Sequence, residues 1–428
     1  MQPEKYFAVY DADGNRLIKT PNILKARTFA SVRGLSEESD KGEKKPEISL
    51  SDVGIKSPSS GKKLSPEGVK VDGYLRKAWD AMPDAHEAFS QVTQQIKAEK
   101  RKEVTIKLAN LRMNPKGFIH QKGSQFAYPM EESAWRRLLP ICRCFPSART
   151  FMELMDTERR ADTFNYMMNR FASSDGLQSQ VKIGLREIDG KRSVYRFVST
   201  QYASWGADEV LDGFISHIPK GGKGEVSYNP KTTMVRATVL FNSPNEPKTG
   251  DIFKLGIRLK TGDKRNSGVS AGIIAHRLKC DNRIEYTVEN GDSMYEIHKG
   301  AVEPIMASFN NIVGKASSVF DRFISDWNKL DRPINQTCLW GRSFPDVPSA
   351  LDWAVSNGKI TSSVSNNVLV EALLSGYDFE RGTSLQSLIN AVTRAAHTSN
   401  FRPDVRTSLE SQSGTLLKEL VLAERVLA

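Results

Sequence analysis

The stretch GIRLKTGDKRNSGVSAGIIAHRLKCDN, residues 256–282, sets Arg258, Lys260, Lys264, Arg265, Arg277 and Lys279 among Gly, Ser and Ala. Cations with small neighbours suit phosphate: the guanidinium and ammonium groups give charge-assisted hydrogen bonds, and the missing bulk lets a polyanion approach. Side chains alternate faces along a strand, so FKLGIRLK puts Leu255, Ile257 and Leu259 on one face and Lys254, Arg258 and Lys260 on the other. VKIGLR repeats the split, with Val181, Ile183 and Leu185 against Lys182 and Arg186, and in HRLKC the cations Arg277 and Lys279 flank Leu278. Arg196 and Arg236 also sit between apolar neighbours. Residues 181–280 hold 17 Lys and Arg against 9 Asp and Glu. The expectation is a sheet with a greasy inner face and a basic outer face that contacts nucleic acid through these eleven cations. For any single strand, solvation of an exposed face is the simpler account. Repetition over several strands brings a polyanion level with it. Tyr195, Tyr202, Trp205 and Tyr228 lie close in sequence and are candidates to stack on bases, although core packing is the commoner fate of an aromatic ring.

Other chemistry is less well supplied. IPKGGKGE lacks the GK[ST] ending of a phosphate-cradling loop, and a strand rather than a helix is expected after it. Cys142 and Cys144 are one residue apart, unlike zinc spacings, and no second Cys/His pair lies near them. The six histidines are scattered, without HExxH or a nucleophile elbow. A nuclease would need clustered carboxylates to hold metal; Glu285, Glu289 and Asp292 are the candidates, but Glu285 and Glu289 share one strand face, as solvated residues do. No catalytic residue, metal or cofactor is expected.

The chain has 428 residues, 39% hydrophobic, enough for two or three domains. Its net charge of +11 favours a polyanionic partner. MQPEKYFAVYDADGNR contains no apolar signal region and no long apolar run follows, so the expected location is the cytoplasm of a bacterial host, with no membrane partner. Four cysteines are too few to staple a chain of this length, and no structural disulfide is expected.

The elements that must position the cations follow from the pattern. Residues 1–33 open with YFAVY and the turn DADGN, a short hairpin-like element. Residues 34–71 contain no aromatic residue and are rich in Ser, Gly, Lys, Glu and Pro, the composition of a disordered linker. Residues 72–176 read as helical, through Tyr74, Leu75, Ala78, Trp79 and Met82, and again from Ser147 through Phe151, Leu154, Phe164 and Met168. Over 177–332 the period changes to two and then to one long amphipathic helix carrying Ile305, Phe309, Ile312, Phe320, Phe323 and Trp327 on one stripe. Residues 333–428 return to helix. The fold class is α+β: an antiparallel, basic-faced sheet packed on a long helix, with flanking helical regions.

VKIGLREIDGKRSVYRFVSTQYASWGADEVLDGF resembles part of an uncharacterised family of phage and plasmid proteins through its VYR, the Ser and Tyr that follow, and ADEVL. NSGVSAGIIAHRLKCDNRI is similar to that family's pattern at Asn266, Ser267, Gly268, Arg277, Cys280 and Asn282, and the closing segment resembles it at Asn390, Ala391, Thr393 and His397. The resemblance spans about residues 180–425, with a looser match in MNPKGFIHQKGSQFAYPM. It implies a mobile-element origin and carries no activity with it. The order of hairpins followed by one long helix is similar to the core of the single-strand-annealing recombinases, which oligomerise and hold DNA in a basic groove. The expected function is a phage or plasmid protein that binds nucleic acid, single-stranded DNA foremost, with annealing in recombination as its specific form and a homo-oligomer as its assembly. The alternative is a non-catalytic structural or host-interaction protein of a mobile element, and the third reading is a metal-dependent nuclease.

Overall fold

The computed structural model describes residues 7–10, 16–20, 64–66, 69, 80–141, 152–172, 180–202, 205–249, 251–263, 268–278, 282–286, 293–296, 302–360, 369, 384–398, 401 and 403–427. The chain divides into two units, 1–47 and 48–428. In the first, β1 (Phe7–Tyr10) and β2 (Arg16–Thr20) pair antiparallel, Phe7 opposite Thr20. The segment expected as a linker lies outside the described residues except at 64–66 and 69; there, Ser65 donates its N–H and hydroxyl to the Glu246 carboxylate, each at 2.5 Å. The expected helix beginning near Asp72 is likewise outside the described residues up to residue 79.

The second unit is α+β, with eight helices among the described residues. Its first half contains α1 (Ala85–Ala98), β3 (Lys102–Lys107), β4 (Leu111–Met113), β5 (Ile119–Gln121), β6 (Ala127–Tyr128), α2 (Glu132–Ile141), α3 (Thr157–Ala172), β7 (Gln180–Ile188) and β8 (Lys191–Ser199). Asp84 starts α1 by accepting hydrogen bonds from the His86 and Glu87 N–H groups, which have no partner inside the helix. Strands β3, β7 and β8 form one antiparallel sheet in that order. Its apolar face, with Ile106, Val181, Ile183, Val194 and Phe197, packs with Trp135 and Leu138 of α2 and Phe164 and Met168 of α3. Of the helix expected from Ser147, residues 147–151 lie outside the described residues; Met152 and Glu153 are helical, Leu154 is exposed rather than packed, and α3 runs from Thr157.

After α4 (Ala207–His217) come β9 (Lys223–Asn229), β10 (Met234–Leu240), β11 (Asn245–Lys248), β12 (Asp251–Gly262), β13 (Val269–Arg277), β14 (Asn282–Glu285) and β15 (Ser293–Glu296). They form a second antiparallel sheet in the order β14-β13-β12-β10-β9, with β11 on β12 and β15 on β13. The period-two pattern becomes one apolar face: Val235, Ala237 and Val239 lie beside Leu255, Ile257 and Leu259, which lie beside Ala271, Ile273 and Ala275.

That face is covered by α5 (Glu303–Lys329), a 27-residue helix with Pro304 in its first turn, where the missing N–H costs nothing. Phe253 meets Phe323 at 5.1 Å and Trp327 at 5.2 Å between ring centroids, both edge to face, and Tyr286 meets Phe323 at 5.4 Å. Each such ring stabilises the fold by about 1.5–3 kcal/mol through burial. The chain closes with β16 (Cys338–Leu339), β17 (Arg342–Ser343), α6 (Val347–Ser356), α7 (Leu385–Thr398) and α8 (Pro403–Leu427); α7 and α8 pack on each other and against β14.

Candidate functional site

The register brings residues of the second sheet's polar face into transverse rows. Ser227 of β9 lies opposite Arg236 of β10, Arg236 opposite Lys260 of β12, Lys260 opposite Ser270 of β13, and Ser270 opposite Tyr295 of β15. Ser227 is exposed, Arg236, Lys260 and Ser270 are half-buried, and Tyr295 is 67% exposed. The next row is Glu225, Thr238, Arg258, Gly272 and Ser293. Two of the expected cations therefore share one half-exposed strip with hydroxyls and an aromatic ring.

The face is concave. Arg283 of β14 and Glu225 of β9 point to it from the two sides of the sheet, and Arg283 Nη1 lies 2.8 Å from Glu225 Oε2. Four strand-to-strand steps separate them, about 19 Å in a flat sheet at ~4.8 Å per step, which exceeds the reach of the two side chains. The sheet must curl until its sides approach. With the sheet curled and α8 set against its middle strand, Arg258, expected on an open surface, is 8% exposed. Its Nη2 lies 2.5 Å from Glu410 of α8, and its Nη1 lies 3.9 Å from Glu285 Oε2. Lys254, further along the same face and opposite His276, is buried as well.

Arg277 is a second correction. In register it is opposite Phe253, on the face that α5 covers, and it is 1% exposed. Its guanidinium stacks over Phe253 at 5.8 Å and Trp327 at 5.6 Å, and Nε donates to Asp251 Oδ1 at 2.5 Å. A charge in such a core is tolerated because it is paired.

Arg186 and Arg196 are also buried, at a joint between the two sheets. A β-bulge between Gly184 and Leu185 leaves Tyr195 as the extra residue, and the joint surrounds its ring. The guanidinium groups of Arg101, Arg186 and Arg196 lie 5.6, 5.4 and 5.3 Å from the ring centroid. Arg186 makes a bidentate pair with Glu131, both contacts 2.6 Å, and reaches Glu99 at 3.2 Å. Arg196 donates to Glu103 and, at 2.8 Å, to the Asp263 carbonyl. Arg101 pairs with Asp263, and its Nη2 donates to the Tyr228 hydroxyl at 2.7 Å. Asp263 Oδ1 accepts the Ala207 N–H at 2.7 Å, which ties the end of β12 to the start of α4. Burial alone would lower the Arg101 pKa, but Asp263 and its neighbours outweigh that and raise it; burial raises the hydroxyls of Tyr195 and Tyr228. Lys182 is half-buried, 2.8 Å from the Tyr202 carbonyl and 3.9 Å from Glu103.

The idea of one open basic face thus fails for Arg186, Arg196, Lys254, Arg258 and Arg277, which the fold buries; the four arginines each pair with a carboxylate. The partners Glu99, Glu103, Glu131, Asp251, Asp263 and Glu410 were missed because pairing across the sequence leaves no local signal; of these, Asp251, two residues before Phe253, and Asp263, four past Leu259, continue the β12 alternation. Of the aromatic rings that were candidates to stack on bases, Tyr195, Tyr202 and Trp205 are buried, the commoner fate, and Tyr228 is half-buried; Tyr295 was not singled out. Lys264, Arg265 and Lys279 lie outside the described residues, as do Glu289 and Asp292. Among the described residues no cluster of His, Cys, Asp or Glu is arranged to hold a metal ion, and no helix is long and apolar enough to cross a membrane. No protein-family model, no curated protein and no solved structure matches the chain.

Proposed function

We propose that the protein binds nucleic acid without cutting it, single-stranded DNA foremost, as a phage or plasmid protein acting in the bacterial cytoplasm. The observation that carries this reading is the transverse row Ser227, Arg236, Lys260, Ser270 and Tyr295 on the concave face. Two cations and two hydroxyls suit backbone phosphates, and an exposed phenol at the end of the row suits an unpaired base. The net charge of +11 draws a polyanion towards the molecule, and Lys264 and Arg265 follow Lys260 closely in sequence. One row is short, so firm binding of a long strand calls for several copies side by side, as an annealing protein would need.

A salt series with labelled single- and double-stranded oligonucleotides tests the reading. Phosphate contacts make log K fall linearly with log salt. Preference for single strands with such a slope supports it, and no detectable binding of either ligand at about 50 mM salt overturns it. The internal pairing of Arg186, Arg196, Arg258 and Arg277 favours a second reading, a structural or host-interaction protein whose arginines serve the fold. That reading takes over if binding is absent while the protein is folded.

A further inference from the structure

On the concave face, the Nη1 nitrogen of Arg258 has unused hydrogen-bonding capacity. Arg258 is 8% exposed, yet its Nη1 has no hydrogen-bond partner among the described residues; the Glu285 carboxylate stands 3.9 Å away, near enough for attraction but too far for a hydrogen bond. A buried donor left in that condition costs about 1–3 kcal/mol, so an acceptor that reaches it gains more than at a solvated arginine.

The Glu285 carboxylate lies over the bare backbone of Gly272. A Cβ on Gly272, the neighbour of Arg258 in its row, would lie 2.8 Å from Glu285 Oε1 and 3.5 Å from Ser293 Cβ. Among the described residues, the charged groups facing Glu285 are Arg258 and Lys260 of β12 and Glu410 of α8. Burial raises the Glu285 carboxyl above the ordinary range; Arg258 opposes this, Glu410 adds to it, and Lys260 opposes it. Lys260, two residues from Arg258 and half-buried, connects this point with the strip carrying Ser270 and Tyr295.

We propose that Arg258 and Lys260 form a phosphate site gated by Glu285, in which a phosphate oxygen accepts from Arg258 Nη1 while Glu285 takes one proton from solvent and gives up its hold on the guanidinium. The carboxylate acts as an internal competitor for the phosphate. Binding takes up one proton per phosphate, so it weakens as pH rises through the Glu285 pKa, by up to about tenfold per pH unit. That the phosphate belongs to a nucleic-acid backbone rests on the proposed function; the site itself would equally take inorganic phosphate.

The test is titration calorimetry of the full chain with inorganic phosphate and, separately, with an oligothymidylate, from pH 5.5 to 8.5, for the wild type and Glu285→Gln. The variant is near-isosteric and cannot ionise. It is expected to bind both ligands at least tenfold more tightly than the wild type at pH 8, with a flatter pH profile and no proton uptake when buffers of different ionisation enthalpy are compared. Arg258→Lys, which keeps a cation beside Glu410, is expected to lose at least tenfold for both ligands while circular dichroism stays unchanged. Equal affinities and pH profiles for wild type and Glu285→Gln overturn the gate even if the oligonucleotide binds, and leave the nucleic-acid reading standing. Gated binding of inorganic phosphate without oligonucleotide binding upholds the site and overturns that reading instead. Binding of neither ligand to either protein overturns both.

Discussion

Arg283 of β14 meets Glu225 of β9 at 2.8 Å over the polar face of a sheet in which three other strands lie between them. Because this contact requires the sheet to curl, it reports the curvature of the face that carries Arg258. Glu225 is about half exposed, so the pair itself contributes little, ~0–1 kcal/mol. Glu225→Ala is therefore expected to lower the unfolding free energy by no more than about 1 kcal/mol in a urea titration. A larger loss would mean that this pair helps to hold the curl rather than merely reporting it.

Arg236→Ala with Lys260→Ala removes both described cations of the half-exposed row. If each contacts one phosphate, the slope of log K against log salt on single strands falls by roughly 0.7 per contact. Tyr295→Ala, at an exposed position, should cost about 1–3 kcal/mol of binding if a base stacks there. Filter-binding or anisotropy titrations read both effects, and an unchanged slope in the double variant removes the row from the interface.

The alternation of FKLGIRLK did divide β12 correctly into two faces, and the stripe from Ile305 to Trp327 does pack against Phe253, Leu255 and Ile257. What alternation does not encode is the environment beyond each face. The curl arises from strand twist summed over five strands, and α8, which brings Glu410, lies far along the sequence from Arg258. At HRLKC the strand ends at Arg277, and pairing with Phe253 sets Arg277 on the α5 side rather than on the polar face. In SVYRFVS, the bulge puts Tyr195 where simple alternation has no place for it. Charge counts could not separate cations that face solvent from cations that need a buried carboxylate.

The triple replacement of Lys254, Arg258 and Lys260 by Ala tests that difference. Alternation alone treats it as a surface change that leaves the fold intact. In the folded protein Lys254 and Arg258 are buried, and loss of Arg258 deprives the buried Glu410 carboxylate of its guanidinium. Breaking a buried pair from one side costs about 3–5 kcal/mol, so the triple variant should unfold at markedly lower urea, while Lys260→Ala alone should shift the midpoint little.

Asp251 and Arg277 make the same argument inside the α5 core, where both are almost fully buried. Asp251→Ala should destabilise by about 3–5 kcal/mol, because Arg277 keeps its charge over Phe253 and Trp327 without the carboxylate. The double variant Asp251→Ala, Arg277→Met should recover part of that loss. A double variant less stable than Asp251→Ala would show that the guanidinium's stacking on the two rings matters more than its pairing.

Gly184 offers the sharpest test of the joint between the sheets. It lies opposite Arg196 across the bulge, and a Cβ there would collide with Arg196 Cγ and come 2.7 Å from Tyr195 Cε1. Neither atom is the free end of a flexible chain. Arg196 is held by Glu103 and the Asp263 carbonyl, and Tyr195 is enclosed by Arg101, Arg186 and Arg196. Gly184→Ala should therefore destabilise by about 1–3 kcal/mol, although alanine ordinarily stabilises a strand relative to glycine. Hydrogen exchange should quicken first in β7, β8 and the end of β12, where Asp263 anchors the first sheet to the second. If the variant is as stable as the wild type, the arginine packing around Tyr195 is looser than the close contacts at Gly184 require, and the joint does not depend on them.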